Sequence, residues 1–214
     1  MRCAAGEQGN PSDAVAAFQK AIEQDDTMPE GYNSLGAVLL QTHDLMRAEP
    51  ALRRAIALEP DYAQADNNLA NLLSATGRFP EALYHFDKVL RTKPDNSAAR
   101  YDYAVALARA GHREEAQQQI ETALQSDPNS ANAHEFLGTL LAASRQLARA
   151  IEHYREAVRL RPEFSLANLH LGESLADSGD LVAALPFLQK AAASPDRAIR
   201  EEALGVLKTV AAGH

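Results

Sequence analysis

Three asparagines close together, Asn67, Asn68 and Asn71, form the first group of side chains in this sequence that could bind a ligand. An amide both donates and accepts hydrogen bonds, so a group of amides can pair with a peptide backbone whatever side chains that peptide carries. Asn67 and Asn71 are four residues apart and would share one face of a helix. The plainer alternative is that asparagine is a tolerated polar residue on a solvated helix surface. Both alternatives stay open at this point.

Residues suited to catalysis or metal binding are scattered. His170 and Glu173 are three apart and could share a metal ion on one helical face, but such neighbours are far more often a solvated pair. The acidic pair Glu114–Glu115 has no predicted apolar pocket that would raise a pKa for general-acid work. The sequence contains no GxxxxGK[ST], HExxH or CxxC motif. We therefore expect no enzyme active site, no metal site and no cofactor in this chain.

The elements that must position these residues repeat with a period of 34 residues. Residues 63–96 show the unit, in which an apolar stripe with helical spacing is followed by Gly77, a second stripe and the closing Pro94. Glycine suits a turn that needs positive φ, so the unit is predicted to be two helices joined by a tight turn. Neither helix can bury its stripe alone, so the unit must stack on copies of itself. One alanine marks every copy: Ala14, Ala48, Ala82, Ala116, Ala150 and Ala184.

A 34-residue period with this order of large, small and proline positions resembles the tetratricopeptide repeat (TPR) family. The repeats look similar to bacterial TPR arrays and to the TPR superhelix of O-GlcNAc transferase, although these asparagine positions are not continued as asparagine in the third to fifth repeats. The resemblance implies an all-α fold, a right-handed superhelical solenoid of antiparallel helix pairs. Two features depart from the family pattern. The aromatic near the start of the first helix appears only as Tyr32, and His43 and Arg145 replace the glycine of other turns.

The period predicts how the chain is divided. Residues 1–28 are predicted to be a partial repeat with only its second helix, at about 11–25. Residues 196–214 are predicted to be a capping helix and tail. Pro50 and Pro186 lie inside second helices, where each should cause a bend. Five repeats are predicted between these ends, at 29–62, 63–96, 97–130, 131–164 and 165–197. Their first helices are predicted at 29–42, 63–76, 97–110, 131–144 and 165–178. Their second helices are predicted at 45–58, 79–92, 113–126, 147–160 and 181–193.

The resemblance also implies where a ligand would lie. In this family the first helices of the repeats line a concave groove, and peptides or partner proteins bind there. Twelve residues at the corresponding positions are the predicted peptide-binding set: Asn33, Asn67, Asn68, Asn71, Tyr101, Asp102, Arg109, Glu135, Phe136, Thr139, His170 and Glu173. The clamp by which chaperone-binding members hold an acidic tail needs several basic residues, and only Arg109 is basic here. We therefore predict a neutral or basic peptide or protein ligand.

Composition narrows the partner class further. The 214 residues are 46% hydrophobic and 23% charged, with a formal net charge of −8, which disfavours nucleic acid and anionic membrane surfaces as partners. No apolar run approaches the roughly 20 residues that span a bilayer. Cys3 is the single cysteine and cannot form an internal disulfide.

Three functions are compatible with these observations. The first is a non-enzymatic scaffold for protein–protein interaction that binds its partner in the groove. The second is the substrate-recruiting part of a larger enzyme of the glycosyltransferase or sulfotransferase type, suggested by the apparent start in mid-repeat. The third is head-to-tail self-association, in which an unpaired terminal helix completes a repeat with another copy. No signal peptide is visible, so we expect a cytoplasmic protein. A secreted or periplasmic parent stays open if the amino terminus is truncated.

Overall fold

The computed structural model describes residues 10–212, with side chains as far as residue 210. Cys3, together with the rest of the predicted partial repeat before residue 10, lies outside the described residues, as do residues 213–214. The described range contains twelve helices and no strand, which confirms the all-α prediction. The helices are α1 Pro11–Gln24, α2 Pro29–Gln41, α3 Leu45–Leu58, α4 Ala63–Ala75, α5 Phe79–Thr92, α6 Ser97–Arg109, α7 Arg113–Ser126, α8 Ala131–Ala143, α9 Leu147–Leu160, α10 Ser165–Asp177, α11 Leu181–Ala192 and α12 Arg197–Ala212.

The helices begin at the residues that the period predicts and end at the predicted residue or one before it. Local sequence explains these starts. Asp44 accepts a hydrogen bond from the backbone N–H of Arg47 at 3.3 Å, and Asn96 accepts one from Ala99 at 3.1 Å. Such caps satisfy donors that the first turn of a helix leaves unpaired. Asp196 caps α12 in the same way, with 2.8 Å between its Oδ1 and the N–H of Ala198.

The turn between the two helices of each repeat is the same in all five repeats. Glycine takes positive φ there in three of them, and His43 and Arg145 take φ of 58° and 59° in the other two. In each turn a backbone N–H donates to the carbonyl of the residue five positions before it, as from Asp44 to Leu39 at 2.9 Å. The two non-glycine residues therefore keep the turn and accept the cost of a left-handed backbone.

The described helices form two compact units, residues 10–112 and residues 113–212. In the first unit α2 packs on α3 and α4 on α5, with α1 against α2 and α6 against α5. Their shared core contains Leu52, Leu69 and Phe86, all with no exposed surface. In the second unit α8 packs on α9, α10 on α11 and α12 on both α10 and α11. Ile120 and Leu188 are fully buried there.

Both unusual prolines are accommodated on the outside of their helices. Pro50 lies within α3 and Pro186 within α11, and each helix continues past its proline. Both rings are exposed, so each missing N–H lies on a side where water reaches the backbone. The bend expected at each of them stays a prediction.

No helix within residues 10–212 combines the length and the apolar character that crossing a membrane requires.

In the later repeats a polar residue occupies the position where the family has an aromatic near the start of the first helix. Its side chain donates a hydrogen bond to the carbonyl of the proline that closes the preceding repeat, and we call this contact the proline latch. Arg100 donates to Pro94 at 2.7 Å, and Asn168 donates to Pro162 at 3.0 Å. The latch gives a side-chain partner to a carbonyl that lies just outside a helix. It also ties the start of each first helix to the end of the repeat before it.

The latch at Pro60 differs because its aromatic position is Asp66, which can only accept. Asp66 is 1% exposed and is held by His85 Nδ1 at 2.7 Å and by Lys88 Nζ at 2.8 Å. Lys88 donates to the Pro60 carbonyl in place of the aspartate. A buried carboxylate needs such partners, since an unpaired buried charge is strongly destabilising. The carbonyl is therefore satisfied in this repeat as well, by a different pair of residues.

Candidate functional site

The predicted site residues make contacts at a spacing of 35 residues, which we call the inter-repeat ladder. Each rung joins the first helix of one repeat to the first helix of the next. In the first unit Asn68 Nδ2 donates to Asn33 Oδ1 at 2.9 Å, and Asn67 donates to the carboxylate of Asp102. In the second unit His170 Nδ1 lies 2.8 Å from Glu135 Oε1. The ladder therefore uses the polar residues of these helices to align them side by side within each unit.

The first rung leaves little of Asn33 for a ligand. Asn33 is 4% exposed, and its Nδ2 lies 3.5 Å from the hydroxyl of Tyr62. Asn68 is half-buried and keeps its own carbonyl oxygen for another donor. Asn33, a member of the predicted peptide-binding set, is buried and accepts a hydrogen bond from Asn68, so it helps to fix that amide. Tyr62, which sequence reasoning did not select, closes this end of the ladder.

Asp102 is a half-buried carboxylate on α6 of the first unit. Asn71 Nδ2 donates to its Oδ2 at 3.0 Å, and Asn67 donates to the same carboxylate. Burial raises the pKa of Asp102, and the two amides oppose that effect only in part. Within residues 10–210 this half-buried carboxylate has amide donors but no cationic partner. It can therefore receive a further donor, and a positively charged one best.

Asn67 also carries an unused acceptor. Its Oδ1 is buried without a hydrogen-bond partner, although its amide nitrogen serves Asp102. A depression of about 320 Å³ adjoins this residue and is lined by Ala63, Gln64, Asn67, Lys93 and Asn96. Its lining is amide-rich with one ammonium group, so it suits a ligand that both donates and accepts hydrogen bonds.

The second unit carries a buried acid–histidine rung instead of amides. Glu135 is 7% exposed, and its Oε1 lies 3.1 Å from the Thr139 hydroxyl, which accepts a hydrogen bond from Tyr154 at 3.3 Å. Burial alone would lower the pKa of His170. The hydrogen bond and charge of Glu135 raise it, and the charges of Glu173 and Glu202 add to this effect. Burial of the Tyr154 phenol raises its pKa to about 12. This network favours a protonated His170.

The remaining predicted residues occupy different environments. Glu173 is half-buried, and burial followed by the charges of Glu202 and Asp177 raises its pKa. It lines a depression of about 410 Å³ between α10 and α12, with Leu181 and Val206 as apolar walls. Three more predicted residues complete the set: Arg109, exposed and stacked 5.6 Å over the Phe79 ring, and the half-buried Tyr101 and Phe136.

His170 Nδ1 is engaged by Glu135 rather than by Glu173. No cluster of three or more histidine, cysteine or acidic side chains suited to a metal ion occurs in the part of the chain that the structure describes.

Helix hairpins that repeat along a chain, with polar first helices held in register, define an α-helical repeat protein of the interaction type. Two family models described as tetratricopeptide repeat match this chain, one over residues 3–42, 33–97 and 137–198 and the other over residues 75–140. The first model alone covers more than half of the sequence. The chain belongs to the tetratricopeptide repeat family.

Solved structures share this fold. YrrB, described as a TPR protein with an unusual peptide-binding site, is 25% identical with a TM-score of 0.68, covering 91% of this chain and 100% of its own. PilF of Pseudomonas aeruginosa is 22% identical with a TM-score of 0.76, covering 89% and 90%. PilW, described as a type IV pilus biogenesis factor, is 20% identical with a TM-score of 0.81, covering 92% and 90%. No curated protein matches the sequence significantly.

Proposed function

We propose that this protein is a non-enzymatic interaction scaffold that binds a peptide segment of a partner protein along the first helices of its repeats. The observation that carries the proposal is the half-buried Asp102 carboxylate, oriented by Asn67 and Asn71 and left without a cation within the described chain. A site of this kind is built before a ligand arrives, which lowers the entropic cost of binding.

The ligand is a neutral or basic peptide. Its backbone pairs with the outward amide groups of Asn68 and Asn71, and a lysine or arginine side chain seats on Asp102. A net charge of −8 and the half-buried Glu173 favour the same sign of ligand in the second unit. YrrB, described as a TPR protein with a peptide-binding site, is 25% identical to this chain, and this similarity supports a peptide as the ligand class.

The test is selection from a random peptide display library, followed by affinity measurement on the selected peptides by fluorescence anisotropy. Asp102→Asn keeps the shape of the side chain and removes its charge, while Asn71→Ala removes one amide. We expect each change to raise Kd for a lysine- or arginine-containing peptide by roughly tenfold, the loss of one charge-assisted hydrogen bond.

The matched control is Tyr84→Ala, because Tyr84 is 65% exposed on α5, a second helix of the same unit. This variant should bind like the unchanged protein. Equal affinity of all four proteins for the selected peptides would move the ligand away from the first helices. If the library yields no peptide that binds the unchanged protein, the proposal that this protein recognises peptides is refuted.

A further inference from the structure

His134 and His153 face each other across the contact between α8 and α9. Their Nδ1 atoms are 3.0 Å apart, and their rings are 5.3 Å apart between centroids. Both rings are half-buried. His134 also forms the proline latch of its repeat, with 3.1 Å between Nε2 and the Pro128 carbonyl. Neither histidine belongs to the predicted peptide-binding set.

The contact fixes where protons can be. A carbonyl only accepts, so His134 Nε2 must carry a hydrogen to form the latch. One proton between the two Nδ1 atoms makes a hydrogen bond, whichever ring holds it. Two protons would set two N–H groups against each other at 3.0 Å, and two positive charges with them. The arrangement is therefore compatible with one shared proton and not with two.

Charged groups around the pair come from two helices. Glu121 lies on α7, and Arg149, Glu152 and Glu156 lie on α9 with His153. Burial is the main cause that lowers the pKa of His153, and the charges of His134 and Arg149 add to it against Glu152 and Glu121. The neighbouring carboxylates therefore do not compensate for the cost of protonating His153 beside a protonated His134.

We propose that the His134–His153 contact is an acid-sensitive latch, which holds α8 on α9 and on the Pro128 turn at neutral pH and releases them when both rings are protonated. The sign follows from linkage. A histidine with a lowered pKa in the folded state gives its stability above the ordinary histidine pKa, and this stability is lost as the pH falls below that value. The His170–Glu135 rung has the opposite sign, so α10 keeps its contact with α8 on acidification.

The chain itself offers the control. In the last full repeat Asn168 and Phe187 occupy the positions that correspond to His134 and His153, and Asn168 donates to Pro162 at 3.0 Å. The double variant H134N/H153F therefore copies a pair that this fold already uses, and it keeps a latch without titrating. The single variant His153→Phe serves if the double variant folds poorly.

The experiment is hydrogen exchange of the whole chain at pH 7.5 and 5.5, corrected for intrinsic exchange rates, in the presence of EDTA. In the unchanged protein we expect residues 128–136 and the middle of α9 to lose protection by up to roughly tenfold per pH unit below 6.5, the limit for one coupled proton. The H134N/H153F variant should show no such loss. Equal losses in both proteins, or no loss in the unchanged one, would refute the proposal.

Nitrogen-detected NMR of the imidazole rings gives a readout that a purely structural role would not move. At pH 7.5 His134 should carry its hydrogen on Nε2, and both rings should respond together to a single shared proton. On acidification the second step should coincide with the loss of protection around Pro128. Independent titration of the two rings at ordinary histidine values would overturn the acid latch even if the exchange data agreed with it.

Discussion

Asp102 holds a negative charge where folding alone does not favour one. Burial raises its pKa, and Asn71 and Asn67 offset this only partly. A raised carboxyl pKa gives stability that is present below the unfolded value and is lost as the pH rises through the folded one. The charge therefore costs the first unit stability at neutral pH, as expected of a residue placed for binding rather than for folding.

The first prediction is that Asp102→Asn stabilises the protein at pH 7 while it weakens peptide binding. Urea unfolding at pH 7 should show a higher midpoint for the variant, and the difference should vanish below about pH 4, where a free aspartate is protonated as well. Opposite signs for stability and affinity separate a binding residue from a merely structural one. A variant that loses both stability and binding would contradict this assignment.

The second prediction concerns the left-handed residue His43, with φ of 58°. A side chain in this left-handed conformation costs about 1–2 kcal/mol, which glycine avoids. The greater flexibility of glycine in the unfolded state cancels part of that gain. His43→Gly should therefore raise the free energy of unfolding by about 0.5–1 kcal/mol, measured by urea unfolding. Gly77→Ala is the reciprocal control, since its Cβ would meet nothing within 4 Å and φ is 79°. It should be destabilising, and a neutral result would show that strain at this turn is small.

At the scale of the helix pair, close approach sets the packing of α8 on α9. A Cβ added at Gly138 would lie 2.6 Å from Cε1 of Tyr154, a ring that is 2% exposed and tied to Thr139. The same tight contact recurs where Gly36 meets Leu52. Gly36 and Gly138 occupy equivalent positions of their repeats, and each is a point of close contact between the two helices of its repeat.

The third prediction is that Gly138→Ala destabilises the second unit. Overpacking typically costs about 1–3 kcal/mol, which exceeds the roughly 1 kcal/mol that alanine gains in helix propensity. Gly205→Ala in α12 is the matched control, because its Cβ would meet nothing within 4 Å. That variant should gain stability by thermal unfolding. A gain for Gly138→Ala as well would mean that the Tyr154 ring can move aside.

Helix positions were predictable from the sequence because one period fixes every start and turn. Even His43 and Arg145 could be placed in turns by their register with Gly77, Gly111 and Gly179. The ladder was not predictable in the same way. The period tells which positions are equivalent, but the contact between Asn33 and Asn68 depends on the rotation and offset of α4 against α2. The burial of Asn33 and its hydrogen bond with Asn68 were therefore not predicted.

The latch shows a second limit of sequence reasoning. Asp66, Arg100, His134 and Asn168 looked like losses of a packing aromatic. Arg100, His134 and Asn168 instead contact a backbone carbonyl, and Lys88 does so for Asp66, which no side-chain pattern reveals. The recurring proline six residues before Arg100, His134 and Asn168 was the available signal. The side-chain chemistry differs at each position, so the common role is visible only in the structure.

For the whole molecule, the decisive quantity is the net charge of −8. The fourth prediction is that binding of a basic selected peptide weakens with salt. Raising sodium chloride from 0.05 to 0.5 M should increase Kd by roughly tenfold, because the Debye length falls from above 10 Å to a few ångströms. A neutral analogue of the same peptide, measured in parallel by anisotropy, should change far less. Equal salt dependence for both peptides would remove charge as the basis of partner choice.

Different side chains contact the closing proline of successive repeats, so the strength of each contact between neighbouring repeats can be changed separately. Lysine with aspartate, arginine, histidine and asparagine each fasten the same kind of joint, yet they differ in how they respond to acidity and ionic strength. Since joints of one design recur every 34 positions, we expect an exchange of the joining side chains to transfer the behaviour of one joint to another. A single scaffold can thus be tuned section by section without redesigning its backbone.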